Sequence, residues 1–201
     1  MKSTVDASPK SLDLMLQINA RGSWLVSRYA LPHLLQSSSA SRNPHILTLG
    51  PPLSHDTFTT NTATGCWPEQ FATTASAYTL AKGGMALVSL GLSAELHGKV
   101  GVNSLLPYTL IGTSAMKVVS PNADVEEKKW RSPEIVAEAA VRMMQEDGKT
   151  FNGQWCVDEL YLRRNHGWTD EQIRKYSLGG EQTDMNSLAL DLWISKSLQE
   201  E

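Results

Sequence analysis

Tyr78 and Lys82 stand four residues apart in the run Ala77-Tyr78-Thr79-Leu80-Ala81-Lys82. At that spacing on a helix both side chains rise from one face and can reach a common point. A phenol has an ordinary pKa of about 10, too high to exchange protons readily at neutral pH. A neighbouring ammonium favours the phenolate and lowers that barrier. The pair can therefore move a proton onto or off a hydroxyl or carbonyl oxygen. The same spacing also occurs on solvated helix faces, so the elements around the pair must decide what it does.

Those elements alternate. Residues 10–36 read as a long helix, with Leu14, Ile18, Leu25 and Tyr29 as an apolar stripe and Pro32 expected to kink or loosen its last turns. After the polar connector 37–44, residues 45–50 read as a short buried strand stopped by Gly50-Pro51-Pro52. Residues 55–75 are a long polar loop, of the kind that is usually functional or mobile. A second helix over 77–97 carries the pair, and Gly83 and Gly84 within it point to close packing on another helix. Residues 100–106 form a second strand ending at Pro107. A short helix follows at 112–119, then a polar excursion over 120–131. Pro133 opens a helix over 133–147 with Ile135, Ala139 and Met143 on one face, and 153–158 is a third strand. The order α-β-α-β-α-β predicts an α/β fold with helices packed on a parallel sheet. Residues 159–201 read as polar, with helical patches and no clear strand.

The totals bound the function. At 201 residues the chain fits one domain, and 41% apolar with 19% charged residues describes a globular protein. A net charge of −3 gives no electrostatic reason to expect nucleic acid or an acidic membrane surface. No apolar run approaches the roughly 20 residues that span a bilayer. The start of the chain has no signal-peptide core and its end no peroxisomal address, so the cytoplasm is the expected compartment. Cys66 and Cys156 read as reduced thiols. The five histidines lack metal-ligand spacing, so no metal is expected, and no G-x-S-x-G elbow supports a hydrolase. The six tryptophans are scattered and read as packing residues.

Taken in order, several short segments carry a resemblance. They are Ile18-Asn19-Ala20-Arg21-Gly22, His45-Ile46-Leu47 with Gly50-Pro51-Pro52-Leu53, Tyr78-x-x-x-Lys82, and Val102-Asn103-Ser104-Leu105 running into Pro107 and Thr113. Pro133-Glu134-Ile135 and Phe151-x-Gly153 complete the set. Over residues 10–165 the chain resembles the C-terminal portion of a short-chain dehydrogenase/reductase (SDR), in the hydroxysteroid-dehydrogenase-like branch. The resemblance implies a Rossmann-like parallel sheet remnant holding strands 5, 6 and 7 of the family order, with residues 1–165 as the C-terminal part of that domain and 166–201 as a tail. It implies Tyr78 as proton donor or acceptor at the reacting oxygen. Lys82 would lower the tyrosine pKa and hydrogen-bond the nicotinamide ribose. Asn19 would hold a water in a proton relay, and Pro107, Ile111 and Thr113 would line the nicotinamide. For Asn19 a simple helix bend, and for Thr113 a helix cap, are equally ordinary uses.

Three departures qualify the resemblance. Where the family carries its catalytic serine stands Pro51, with Ser54 the nearest substitute and Thr57 beyond it. Tyr108 stands where many members have Gly after the proline, with one extra residue before Thr113, so that loop must take another path. No G-x-x-x-G-x-G loop, which would hold the cofactor pyrophosphate, occurs in the 201 residues. The resulting expectation is an oxidoreductase interconverting a carbonyl and an alcohol on an apolar small molecule with NADP or NAD. Partners are expected to be that substrate and either a homo-oligomer or a full-length relative. The rival is a truncated, non-catalytic paralogue that binds such a relative. The 45–50 strand is expected to be a bare apolar edge.

Overall fold

The computed structural model describes residues 3–40, 42–51, 76–120, 122–194 and 198. Among them three parallel strands, β1 (His45–Leu49), β2 (Gly101–Leu106) and β3 (Trp155–Val157), form one sheet in the order β1-β2-β3. His45 lies opposite Gly101 and Leu49 opposite Leu105; on the other side Ser104 lies opposite Trp155 and Leu106 opposite Val157. All six residues of β2 are buried, as a central parallel strand covered on both faces requires. β1 is an edge among the described residues, and its Leu49 is 55% exposed.

Helices α1 (Pro9–Leu16) and α2 (Gly22–Ser39) are joined by a π-helical turn at Gln17–Arg21. α2 continues through Pro32 to Ser39, so the expected loosening at Pro32 does not end the helix. Of the stripe Leu14, Ile18, Leu25 and Tyr29, Leu25 is half-buried, whereas the other three face outward rather than into the core at 55%, 63% and 72% exposed. α3 (Ser76–Glu95) lies between this layer and the sheet. A Cβ on Gly84 would come 3.0 Å from the Ala20 Cβ, so glycine permits the close approach of α3 to the π turn. Ser89 Oγ donates to Thr48 Oγ1 at 2.9 Å, tying α3 to β1.

Alternate residues of β2 serve opposite faces. Val102 packs with Leu92, Leu96 and Val100 on the α3 side. Leu105 packs with Ile135, Ala139 and Met143 of α6 (Glu134–Gln145) on the other, together with Tyr161 and Leu162 of α7 (Asp158–His166) and Ile173 of α8 (Asp170–Arg174). Buried Asn103 is satisfied: Nδ2 donates to Phe151 O at 2.9 Å and Oδ1 accepts from Gln154 N at 2.9 Å. Two short helices, α4 (Ser114–Val119) and α5 (Ala123–Glu126), span the excursion after β2.

Candidate active site

The C-terminal ends of β1 and β2, the usual ligand side of an open α/β sheet, meet the first turns of α3. Here Tyr78 and Lys82 lie one helical turn apart. Lys82 Nζ donates to the Leu49 carbonyl at 3.2 Å, at the end of β1. The Tyr78 ring packs among Leu106, Val157, Trp193 and Ile194. It stacks on the Trp193 indole with centroids 5.5 Å apart and planes 25° apart. Burial, then the negative charge of Asp191, pushes the Tyr78 phenol up to about 12. Burial lowers the Lys82 ammonium, and Asp191 pulls it back up. At neutral pH the phenol therefore keeps its proton, and in this arrangement burial outweighs any lowering by the ammonium.

The loop after β2 forms the adjoining wall. Pro107 is half-buried, and Tyr108 N–H donates to Asp158 Oδ1 at 2.8 Å. The Asp158 carboxylate also accepts the Glu159 N–H at 2.6 Å. Its full burial raises it to about 7 against the pull of those two N–H groups and Arg131. Ile111 lies in the core with Leu105 and Ile135, and its strand-like pairing with Arg131 fixes the loop's exit. Thr113 is the N-cap of α4, its hydroxyl accepting from Met116 N at 3.3 Å. Asn19 sits in the π turn with Nδ2 donating to Met15 O at 2.9 Å, as a helix bend requires. π turns of this kind recur at functional sites. Ser54 and Thr57 lie outside the described residues; buried Pro51 is the last described residue before them.

Two site residues escaped the sequence reading: Asp191 and Trp193. Both arrive from the polar C-terminal region on a segment paired antiparallel with the loop after β2. The signal available was the apolar run Leu190-Asp191-Leu192-Trp193-Ile194, which interrupts an otherwise polar stretch. Among the described residues no cluster of His, Cys, Asp or Glu suits a metal, and no helix is long and apolar enough to cross a membrane.

No family model matches the chain. Hydroxysteroid dehydrogenase-like protein 2 of Danio rerio is 38% identical over 161 residues, which are 80% of this chain and 34% of the relative. The chain thus spans about a third of the length of the curated relatives it matches. A protein described as a dehydrogenase from Xanthomonas campestris superposes with a TM-score of 0.75 at 38% identity, over 96% of this chain and 62% of that one. A short chain dehydrogenase from Mycobacterium thermoresistibile gives 0.70 at 28% identity, over 95% of this chain and 59% of that one. A more distant short chain dehydrogenase from Burkholderia cenocepacia, solved in complex with NADP, shares the fold at 18% identity and a TM-score of 0.54, over 77% of this chain and 58% of that one. The α/β fold with a parallel sheet is the one that these Rossmann-type short chain dehydrogenases share. The chain belongs to the short-chain dehydrogenase/reductase family.

Proposed function

We propose that this chain carries the proton-transfer side of a carbonyl/alcohol oxidoreductase acting on an apolar small molecule with NADP or NAD. The observation that carries the reading is Tyr78 and Lys82 held together at the ends of β1 and β2 beside an apolar wall of Leu106, Val157 and Trp193. With its phenol pushed up to about 12, Tyr78 is protonated at neutral pH and able to give its proton to a carbonyl oxygen. The ammonium of Lys82 favours the phenolate left behind. The nicotinamide half of the cofactor fits this donor set: Lys82 would hold its ribose, and Pro107, Ile111 and Thr113 would flank its ring. When bound, the cofactor supplies the hydride. The pyrophosphate half has no Gly-rich loop to hold it in these 201 residues. Asn19 and Ser54 are proposed as relay and serine-like residues, and the cytoplasm as compartment.

A second reading has its own support. The outward apolar residues of α1 and α2, with the missing loop, suit a non-catalytic chain that pairs with a second copy or a full-length relative.

Titration with NADPH and NADH by calorimetry tests the cofactor half of the first reading. Losing three charge-assisted pyrophosphate contacts, each worth about 1.5–3 kcal/mol, weakens binding by at least about a thousandfold, so weak or absent binding is expected of this chain. Micromolar binding would show that the site is complete without the loop. In any cofactor-competent form, Tyr78→Phe should lower turnover by about a hundredfold to ten-thousandfold and leave cofactor affinity nearly unchanged. Unchanged turnover would remove Tyr78 from the chemistry.

A further inference from the structure

The segment 188–194 is tied to the loop after β2 and carries an aromatic ring to Tyr78. Ala189 N–H donates to Lys129 O at 2.9 Å, Leu110 N–H to Ala189 O at 2.8 Å and Asp191 N–H to Tyr108 O at 3.0 Å. Thr109 and Leu190 form an antiparallel bridge between these bonds. The chain then turns: Ile194 N–H donates to Asp191 O at 3.3 Å, and Asp191 Oδ1 accepts the Leu192 N–H at 2.6 Å. Trp193 is the third residue of that four-residue turn, so its backbone is fixed on both sides.

The Trp193 side chain is buried with Leu106, Val157 and Ile194, and Leu190 and Leu192 of its own segment pack on the same cluster. Its indole lies 25° from parallel to the Tyr78 ring at a centroid distance of 5.5 Å, within the range that offset-stacked rings prefer. The phenol ring is thus held among three elements: Leu106 comes from β2, Val157 from β3 and Trp193 from the C-terminal segment. Trp193 is the largest side chain of that cluster, and burial is the leading cause of the high Tyr78 pKa.

We propose that Trp193 is a positioning residue for Tyr78: delivered by the 188–194 strap, its indole covers one face of the phenol ring, keeps water from it and fixes its orientation. A proton donor must meet the reacting oxygen within narrow limits, and a misplacement of about 1 Å costs on the order of a hundredfold in rate. A flat partner fixes a flat ring better than the same volume of aliphatic side chain does. The strap is also bonded to residues 108–110, so it holds the catalytic ring and the loop that would flank the nicotinamide in one piece. A region that reads as a polar tail therefore supplies one wall of the site.

The role rests on the reading of Tyr78 as the proton donor, but the cover is measurable without turnover. Tetranitromethane nitrates tyrosine rings that it can reach, through the phenolate, and peptide mass spectrometry of the full chain resolves each tyrosine. Exposed Tyr29 is the reference for a free ring, and buried Tyr161, packed on the opposite face of the sheet, reports whether the fold is intact. At pH 8 the parent's Tyr78 should react at least about tenfold more slowly than Tyr29, because each unit of phenol pKa is tenfold in phenolate. Trp193→Ala should speed Tyr78 by about tenfold or more with Tyr161 still slow, and Trp193→Phe, which keeps a flat ring, should hold the parent's rate. Where the Ala variant loosens the whole fold, Tyr161 speeds as well, and Trp193→Leu, which keeps apolar volume without a flat face, takes its place. Tyr78 staying slow in a folded Ala or Leu variant overturns the proposal, and so does a folded Phe variant as fast as either. A parent Tyr78 that reacts as fast as Tyr29 overturns it without any variant. Failure of the enzyme reading would appear instead as full turnover in Tyr78→Phe, which these nitration rates do not touch.

Discussion

On one flank of the sheet α6 turns Ile135, Ala139 and Met143 inward at every fourth residue, and each is buried against Leu105 of β2 and the side chains of α7 and α8. On the other flank the eighteen-residue α2 buries only Ser27, while Val26 and Tyr29 are 71% and 72% exposed. Both helices carry apolar residues on a helical repeat. The repeat says that a helix has an apolar face; it does not say what that face meets. The closed flank meets other elements of the same chain. The outer layer of the open flank packs Leu31 and Leu34 against the cluster of Leu92, Leu96, Val100 and Val102 but leaves Val26 and Tyr29 to solvent among the described residues, and its inner layer, α3, lies on the sheet.

The closed flank also buries charge, and this is where the difference between the flanks can be broken most severely. Arg131 and Glu159, both buried, are ion-paired; Glu159 further accepts Arg163 at 2.7 Å, and Arg163 reaches Asp170 at 2.7 Å. Arg131 N–H donates to Leu110 O at 3.0 Å and its carbonyl accepts Gly112 N–H at 2.8 Å, so one residue clamps the loop that adjoins the site. Arg131→Ala leaves those backbone bonds but strips Glu159 of its most buried partner. Removing one member of a buried pair costs about 3–5 kcal/mol, so the urea midpoint should fall steeply. A loss below about 1 kcal/mol, the range of an exposed pair, would mean that this flank is wetter than its packing shows.

A smaller effect on the same flank depends on pH. Asp158 is raised from 3.8 to about 7 in the folded chain, chiefly by burial. The folded state therefore binds more protons than the unfolded state between those values, and its stability is fullest below about 4 and falls as pH rises through 7. Asp191, raised to about 6, acts in the same direction. Urea unfolding should show the parent more stable at pH 5 than at pH 7.5 by about 1–4 kcal/mol from these groups. Asp158→Asn keeps an acceptor for the Tyr108 and Glu159 N–H groups and removes the titration, so its pH slope should be shallower. An unchanged slope would place the proton uptake elsewhere.

The contrast between flanks also explains what could be read from the residues. The three strands and α6 are legible because short β-branched and leucine-rich runs between Gly and Pro stops, and a clean stripe at 135, 139 and 143, each have one ordinary structural use. Gly84 is legible for the same reason, since a glycine inside a helix implies a close neighbour, and Ala20 is that neighbour. Leu14, Ile18 and Tyr29 misled because they have the right period and face the wrong way. Tyr78 and Lys82 are visible at one-turn spacing. Asp191 and Trp193 are not, since they lie more than 100 positions from Tyr78 and reach it through pairing with residues 108–110, which leaves no local period. The buried network at Arg131 and Glu159 is hidden likewise: single charges in polar stretches read as solvated until the chain folds over them.

The smallest effect belongs to the open flank. Val26 is exposed on α2, so Val26→Ser removes little buried apolar area from the chain as it stands, and the cost should stay within about 0.5 kcal/mol. Ser is a slightly poorer shape for a binding face but no worse a helix former than the β-branched valine it replaces. The substitution thus reports on coverage rather than on the fold. If a second copy covers the face, the melting temperature of the parent rises with protein concentration, because association stabilises by mass action. Val26→Ser would then lower it at high concentration and leave it unchanged at low concentration. A fall of several degrees in dilute protein, with no dependence on concentration in the parent, would instead show that Val26 is packed within the chain. The two flanks would then be closed alike, and the exposed stripe would no longer separate them.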